Sequence, residues 1–127
     1  MNLFKNAQLL GSFGEFCYQK FAVSKGFNVE KVGILEYDFD VEPSHKVDVK
    51  TTQLNKEKYT GKRIRSDISY DVIRITKEEV VIYPDLISPL HKFYGSVIGN
   101  IKILHEEWLT YKSSKKSDIK KDGASSI

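Results

Sequence analysis

Two short segments in which apolar and polar side chains alternate constrain the fold of this chain most. They are residues 37–40 (YDFD) and residues 47–52 (VDVKTT). Because successive side chains of a β-strand point to opposite faces, each segment is predicted to be a strand with one apolar and one polar face. Residues 43–45 (PSH) form turns readily, so we expect the two strands to pair as an antiparallel hairpin. The predicted apolar face of the first strand comprises Tyr37, Phe39 and Val41, and its polar face comprises Asp38, Asp40 and Glu42.

Length and composition predict one soluble globular domain. The chain has 127 residues, of which 40% are hydrophobic and 29% are charged. No apolar run approaches the roughly 18 residues of a membrane span, and the N-terminal residues lack the apolar core of a signal peptide. Cys17 is the single cysteine. It excludes an internal disulfide, and we expect a buried, unreactive thiol in a cytoplasmic protein.

The positive charge of the chain, +3 in total, is concentrated in two stretches. The stretch between residues 53 and 65 fits either a loop that binds a phosphate backbone or a solvated, charged connection. The second stretch lies mainly within residues 113–127, a polar tail that we predict to be disordered. The folded domain is therefore predicted to comprise residues 1–112. The cationic residues of the first stretch are Lys56, Lys58, Lys62, Arg63 and Arg65.

The periodicity of the apolar residues predicts the order of the elements. Helical spacing predicts a first helix over residues 5–25 and a last helix over residues 96–112. The last helix is expected to bury Val97, Ile101, Leu104 and Trp108. Five stretches are predicted to be strands, and the fourth of them also fits a short helix: residues 27–32, 35–41, 46–53, 69–75 and 79–84.

Polar residues of the first helix and of the hairpin are expected to converge. Glu15 lies on a polar stripe that runs beside the apolar stripe of the helix. Asp48 and Lys50 share one strand face, but an acidic-x-Lys triplet also arises by chance, and residues 118–120 (DIK) repeat the spacing in the predicted tail. The triplet in the strand differs because it follows a hairpin that contains Asp38. The combination indicates a site with several carboxylates and one ammonium group.

These motifs resemble those of the PD-(D/E)XK nuclease superfamily, in particular its small homing-endonuclease-type and phage or bacterial endonucleases. The resemblance implies an α/β, restriction-endonuclease-like core, in which a helix precedes a three-stranded antiparallel meander, further strands and a C-terminal helix. The Pro-Asp dipeptide of the family is replaced by a Tyr-Asp dipeptide that ends at Asp38, and Asp40 is a second candidate for the same role. The residues that resemble the family are 11–15 (GSFGE), 26–29 (GFNV), 37–39 (YDF) and 47–51 (VDVKT).

The resemblance implies a Mg2+-dependent (or Mn2+-dependent) endonuclease that hydrolyses DNA phosphodiester bonds, of the site-specific homing or restriction-like kind. Asp38 and Asp48 are expected to bind the metal, because Mg2+ prefers oxygen ligands. The resemblance adds the Val49 carbonyl, and it implies that Glu15 is an outer ligand or holds Lys50. Lys50 is expected to position or deprotonate the attacking water.

DNA is the predicted partner, and a symmetric dimer or higher oligomer is expected because one active site cuts one strand. Thr52 and Gln53 are expected to touch the phosphate backbone together with the cationic stretch. One alternative is a Holliday-junction resolvase or toxin-like nuclease with the same site, and another is a catalytically inactive nucleic-acid-binding module of the same fold. A surface salt bridge between a carboxylate and Lys50 also explains the triplet. The histidines His45, His91 and His105 show no metal-ligand spacing.

Overall fold

The structure, a computed structural model, describes residues 3–32, 37–53 and 65–125, and among them the side chains up to residue 115. The fold is α/β, with one six-stranded sheet and two helices in the described residues. A short 3-10 turn, His91–Phe93, follows the fifth strand. The elements are α1 (Ala7–Ser24), β1 (Val29–Lys31), β2 (Phe39–Val41), β3 (His45–Thr52), β4 (Ile68–Ile75), β5 (Glu79–Tyr83), β6 (Val97–Asn100) and α2 (Ile101–Ser125).

The sheet is mixed, and its strands lie side by side in the order of the chain. β1, β2 and β3 form an antiparallel meander, as the sequence predicts. β4 then runs parallel to β3, while β5 and β6 continue the sheet antiparallel. β4 is a strand and not the short helix that its apolar run also allowed. The predicted α/β class is confirmed, whereas the restriction-endonuclease-like assignment stays a prediction.

α1 begins and ends at residues that suit those positions. The Asn6 side chain accepts a hydrogen bond from the Leu9 amide at 2.9 Å, which caps the first turn. Gly26 has a φ of +89°, which glycine adopts without strain, and it lets the chain turn away from the helix. Gly14 lies so close to β3 that a Cβ at this position would overlap the Thr51 side chain. The helix therefore packs directly against β3.

The main core lies between the helices and one face of the sheet. Trp108 of α2 is 3% exposed, and its ring centroid lies 5.5 Å from that of Phe13 of α1. Cys17 is fully buried beside them, and this burial raises the pKa of its thiol to about 12. Its thiol is therefore protonated and unreactive at neutral pH. The expected core positions of Trp108 and Cys17 are confirmed.

The start of the last helix differs from the prediction. Residues Val97–Asn100 pair with β5 as an edge strand, so α2 begins at Ile101 and not at residue 96. Val97 is 49% exposed on this strand, so its predicted burial is wrong. The Asn100 side chain accepts hydrogen bonds from two amides of the first helical turn, which explains why the helix begins here.

The backbone of α2 is helical as far as Ser125. The helix thus runs through most of the stretch for which the sequence predicts a disordered tail, and the division of the chain at residue 112 stays a prediction. Neither of the helices in the described residues is long and apolar enough to cross a membrane.

The predicted apolar face of β2 is interrupted at its start. Phe39 and Val41 are buried in the main core, as expected. Tyr37 instead packs with Ile68 and Tyr70 in a second, smaller cluster. The register of β3 and β4 places this cluster on the opposite face of the sheet, because Tyr70 pairs with Asp48. The predicted common face of Tyr37 and Phe39 is therefore wrong, because regular alternation begins only after Asp38.

Candidate functional site

Asp38 lies at the start of β2 and is held against β3 by two hydrogen bonds. Its amide donates to the Val47 carbonyl at 2.9 Å, and its Oδ2 accepts from the Val49 amide at 2.7 Å. Phe39 pairs with Val47, so the same register continued by one residue places Asp38 opposite Asp48. In a longer β2, a main-chain carbonyl would accept the hydrogen bond from the Val49 amide. Here the carboxyl group of Asp38 accepts it instead.

Asp48 and Lys50 lie two residues apart on β3 and share the face opposite the main core. Lys50 Nζ lies 2.9 Å from Asp48 Oδ2. The Asp48 side chain is 12% exposed, whereas the Lys50 side chain is 44% exposed. The ammonium group therefore reaches from the carboxylate towards solvent.

Glu15 lies on α1, near enough to Asp38 for its charge to raise the pKa of that carboxyl group. Its Oε1 lies 3.9 Å from Lys31 Nζ. Glu15 also lines a groove of about 300 Å3 between α1, the sheet and α2. Its expected parts, as a partner of Lys50 or as an outer metal ligand, both stay predictions.

The carboxyl group of Asp38 has a pKa raised to about 7. Partial burial is the largest cause, and the Val49 amide opposes it. The charges of Glu15 and Asp48 raise the pKa further, as does a hydrogen bond between the carboxyl groups of Asp38 and Asp48. Asp38 is therefore close enough to two other carboxyl groups, those of Glu15 and Asp48, to be affected by their charge.

Asp40, the second candidate for the first metal-binding position, occupies a different environment. It is exposed, and its Oδ1 accepts a hydrogen bond from the Tyr37 hydroxyl at 2.8 Å. It pairs across the hairpin with Lys46 and not with Asp48. Asp38 is therefore the carboxylate of this strand that faces Asp48.

The residues predicted to contact nucleic acid are described only in part. Arg65 forms a two-pronged ion pair with Asp67, with N–O distances of 3.0 and 2.7 Å. Thr52 shares the sheet face of Lys50, and Gln53 lines a separate cavity of about 640 Å3 beside Lys77 and Lys102. The other predicted contacts, Lys56, Lys58, Lys62 and Arg63, lie outside the described residues.

Asp38 and Asp48 are two candidate ligands for a divalent cation. Within the three described ranges, no three or more side chains of His, Cys, Asp and Glu gather closely enough to hold a metal ion. Asp38 and Asp48 nevertheless fit Mg2+, which commonly binds one or two carboxylates and takes its other oxygen ligands from water and substrate phosphate. The mutual repulsion of the pair is the property that a divalent cation would relieve.

Sequence reasoning missed a further carboxylate, Asp71 of β4, which is fully buried. The Tyr18, Ser69 and Ser88 hydroxyls donate to it at 2.8, 2.5 and 2.6 Å, and the Asp85 amide donates at 3.1 Å. Burial raises the pKa of Asp71, and these hydrogen bonds oppose the rise. The available signal was an aspartate in the middle of an apolar strand, because such a residue must be hydrogen-bonded when buried.

The site therefore consists of two carboxyl groups that face each other, one ammonium group bound to the second of them, and a third carboxylate nearby. Carboxylate oxygens are hard ligands, which suit hard cations such as Mg2+. The ammonium group of Lys50 lies on the solvent-exposed side of the site, where an anionic ligand can reach it. No family model, curated protein or solved structure matches this chain.

Proposed function

We propose that this protein is a Mg2+-dependent endonuclease that hydrolyses DNA phosphodiester bonds at Asp38, Asp48 and Lys50. The observation that supports this most is the register of the hairpin, which places Asp38 opposite Asp48, with a lysine ammonium group 2.9 Å from Asp48 Oδ2. Two carboxyl groups that face each other repel when both are ionised, and such an arrangement is more useful for binding a cation than for holding a fold together.

Three residues of the hairpin are the proposed metal ligands. Asp38 and Asp48 provide carboxylate oxygens, and the Val49 carbonyl, on the same stretch of β3, is the third protein ligand in the proposal. The Val49 amide fixes the orientation of Asp38 through its hydrogen bond of 2.7 Å. Mg2+, when bound, polarises the scissile phosphate and lowers the pKa of a coordinated water.

Lys50 is the proposed electrostatic and proton-handling group. Its ammonium group is bound to Asp48 and its side chain is 44% exposed, so it can contact a phosphate without leaving the site. In this position it attracts the substrate, orients the attacking water and stabilises the negative charge that develops on the phosphoryl oxygens. Glu15 adds negative charge from α1, which strengthens the attraction of the site for a cation.

A catalytically inactive nucleic-acid-binding module is the second candidate. The ion pair between Lys50 and Asp48 favours it, because an ammonium group can permanently replace the metal as the counter-charge of a carboxylate. This candidate requires nucleic-acid binding that depends on salt concentration and does not respond to Mg2+ or to Asp48→Asn.

The test is divalent-dependent nicking of supercoiled plasmid by the wild-type chain, Asp48→Asn and Lys50→Ala. We expect each substitution to lower the rate by about 100-fold or more, because each removes a charge that acts on the transition state. Glu107→Gln is the matched control: Glu107 of α2 also forms an ion pair, with Lys20, and lies outside the site. Its rate should stay within about twofold of wild type. Equal rates in all four proteins, or no nicking with any divalent metal, would refute the proposal.

A further inference from the structure

The register of the sheet places a tyrosine in line with the proposed catalytic lysine. Lys50 of β3 pairs with Val72 of β4, and Val72 pairs with Tyr83 of β5. Paired residues of neighbouring strands point to the same face, so the side chains of Lys50 and Tyr83 lie on one face, two strands apart. At about 4.8 Å per strand, this separation is roughly 10 Å, or about three nucleotides of stacked DNA strand.

A second tyrosine is brought onto Tyr83 by the turn before β6. Gly95 has a φ of +81°, and its amide donates to the Ile82 carbonyl at 2.8 Å, which fixes the turn beside β5. The Tyr94 ring then lies edge-on to the Tyr83 ring, with centroids 5.1 Å apart and an interplanar angle of 74°. Tyr94 remains 42% exposed. Two aromatic rings are therefore held in a fixed arrangement at the surface.

A cationic group, that of Arg74, accompanies these rings. Arg74 lies on the same face in the next row of the sheet, and its guanidinium donates to the Tyr83 hydroxyl at 3.4 Å. Beneath the rings, Val72 and Val81 are buried and give the surface an apolar floor. We name Tyr83, Tyr94 and Arg74 the tyrosine surface.

We propose that the tyrosine surface binds an unpaired segment of the DNA strand whose phosphate lies at Lys50. This inference rests on the proposed function and adds a substrate class, DNA that is single-stranded or locally unpaired. Aromatic side chains next to cations are the usual means of binding single strands, because unpaired bases expose faces that stack on the rings. A paired base in a duplex does not offer that face.

Charge favours a nucleic acid over a second copy of the chain as the occupant. In a twofold symmetric contact, each patch meets its own copy or lies close to it. The guanidinium of Arg74 would then approach its own counterpart, which is unfavourable. The same guanidinium attracts a phosphate backbone.

The test is the binding of a fluorescein-labelled oligothymidylate to the full chain in EDTA, followed by fluorescence anisotropy. Tyr94→Ala should raise the Kd at least about fivefold, because it removes one stacking partner, and Tyr94→Phe should keep the wild-type value. Tyr111→Ala is the matched control: Tyr111 is a tyrosine of α2 that is 39% exposed, beside the groove that contains Glu15. Its Kd should stay within about twofold of wild type.

The other possible results of these binding and nicking measurements either overturn the inference or separate it from the proposed function. Unchanged binding by Tyr94→Ala, or no binding by the wild type, overturns the inference. A wild-type dimer that Tyr94→Ala converts to a monomer with unchanged DNA binding also overturns it, and would assign the surface to a second copy. If DNA binding depends on Tyr94 but no divalent metal supports nicking, the proposed function is refuted, whereas DNA binding by the tyrosine surface is supported. If nicking depends on Asp48 but Tyr94→Ala binds DNA as the wild type does, the proposed function is supported and the inference about the tyrosine surface is refuted.

Discussion

The chain holds aspartates in two contrasting environments. Asp71 is fully buried, and three hydroxyl groups and one amide donate to its two oxygens. Asp38 is only partly buried and has one amide donor, and its other neighbours include the carboxyl group of Asp48. A carboxylate whose oxygens are fully hydrogen-bonded has little capacity for a ligand. A carboxyl group that faces another one retains that capacity, and this distinguishes Asp38 from Asp71.

The pKa values of the two aspartates are raised for partly different reasons. Burial is the largest cause for both. Around Asp71 the hydrogen bonds all lower the pKa, whereas around Asp38 the neighbouring acids raise it. The surroundings of Asp71 therefore oppose the cost of burial, whereas the acidic neighbours of Asp38 add to it. Replacement of Asp71 should consequently cost more stability than replacement of an aspartate of the Asp38–Asp48 pair.

The largest effect is expected for Asp71→Ala. This substitution leaves the hydroxyls of Tyr18, Ser69 and Ser88 without their acceptor, and it removes the link between α1, β4 and the loop that contains Ser88. We expect the free energy of unfolding to fall by about 3 to 5 kcal/mol in urea titrations. Asp48→Ala, in the other environment, should change it by less than about 1 kcal/mol. Equal losses for the two variants would contradict the distinction between them.

The part of this architecture that depends on local pattern could be predicted from the sequence. The first helix and the hairpin follow from periodicities that a few neighbouring residues define. The parallel pairing of β4 with β3 does not follow, because it depends on contacts between residues about 20 positions apart in the chain. Strand β6 was missed because its four residues also fit the helical spacing that continues into α2.

The contrast between local patterns and long-range contacts also applies to the site. The common sheet face of Asp48 and Lys50 is a property of one strand, and its prediction is confirmed. The partner of Glu15 depends on how α1 lies across the sheet, and no local pattern specifies that angle. The hydrogen bonds of Asp71 come from α1, β4 and a loop, so the sequence could indicate only that a buried aspartate needs partners.

The next effect concerns α1, which contributes Tyr18 to Asp71 and Glu15 to the neighbourhood of Asp38. In Gly14→Ala the new methyl group would overlap the Thr51 side chain, so the helix must move away from β3. We expect the free energy of unfolding to fall by about 1 to 2 kcal/mol, since overpacking exceeds the better helix propensity of alanine. Gly11→Ala is the control, because nothing lies within 4 Å of its Cβ position and the substitution should stabilise the helix by about 0.5 to 1 kcal/mol. Similar changes in both variants would show that α1 is not in close contact with β3.

The smallest expected effect is a dependence of the free energy of unfolding on pH that comes from Asp38. The pKa of Asp38 is about 7 in the folded protein, against about 3.9 for an unfolded aspartate. Between these values the folded state binds more protons than the unfolded state, so the contribution of Asp38 to stability is greatest at low pH and falls as the pH rises to about 7. Asp38→Asn removes this contribution and keeps an oxygen that can accept from the Val49 amide.

The free energy of unfolding of Asp38→Asn minus that of wild type, measured in EDTA, should therefore increase between about pH 4 and pH 7 and then level off. Allowing for solvent screening of a partly exposed group, the total increase should be about 1 kcal/mol. The raised pKa of Asp71 acts in the same direction in both proteins, so it largely cancels in the difference. Saturating Mg2+ should stabilise wild type more than Asp38→Asn, because a bound cation offsets the repulsion that the substitution has already removed. A difference that is constant with pH would mean that Asp38 is as well satisfied as Asp71, and the two environments would no longer be distinct.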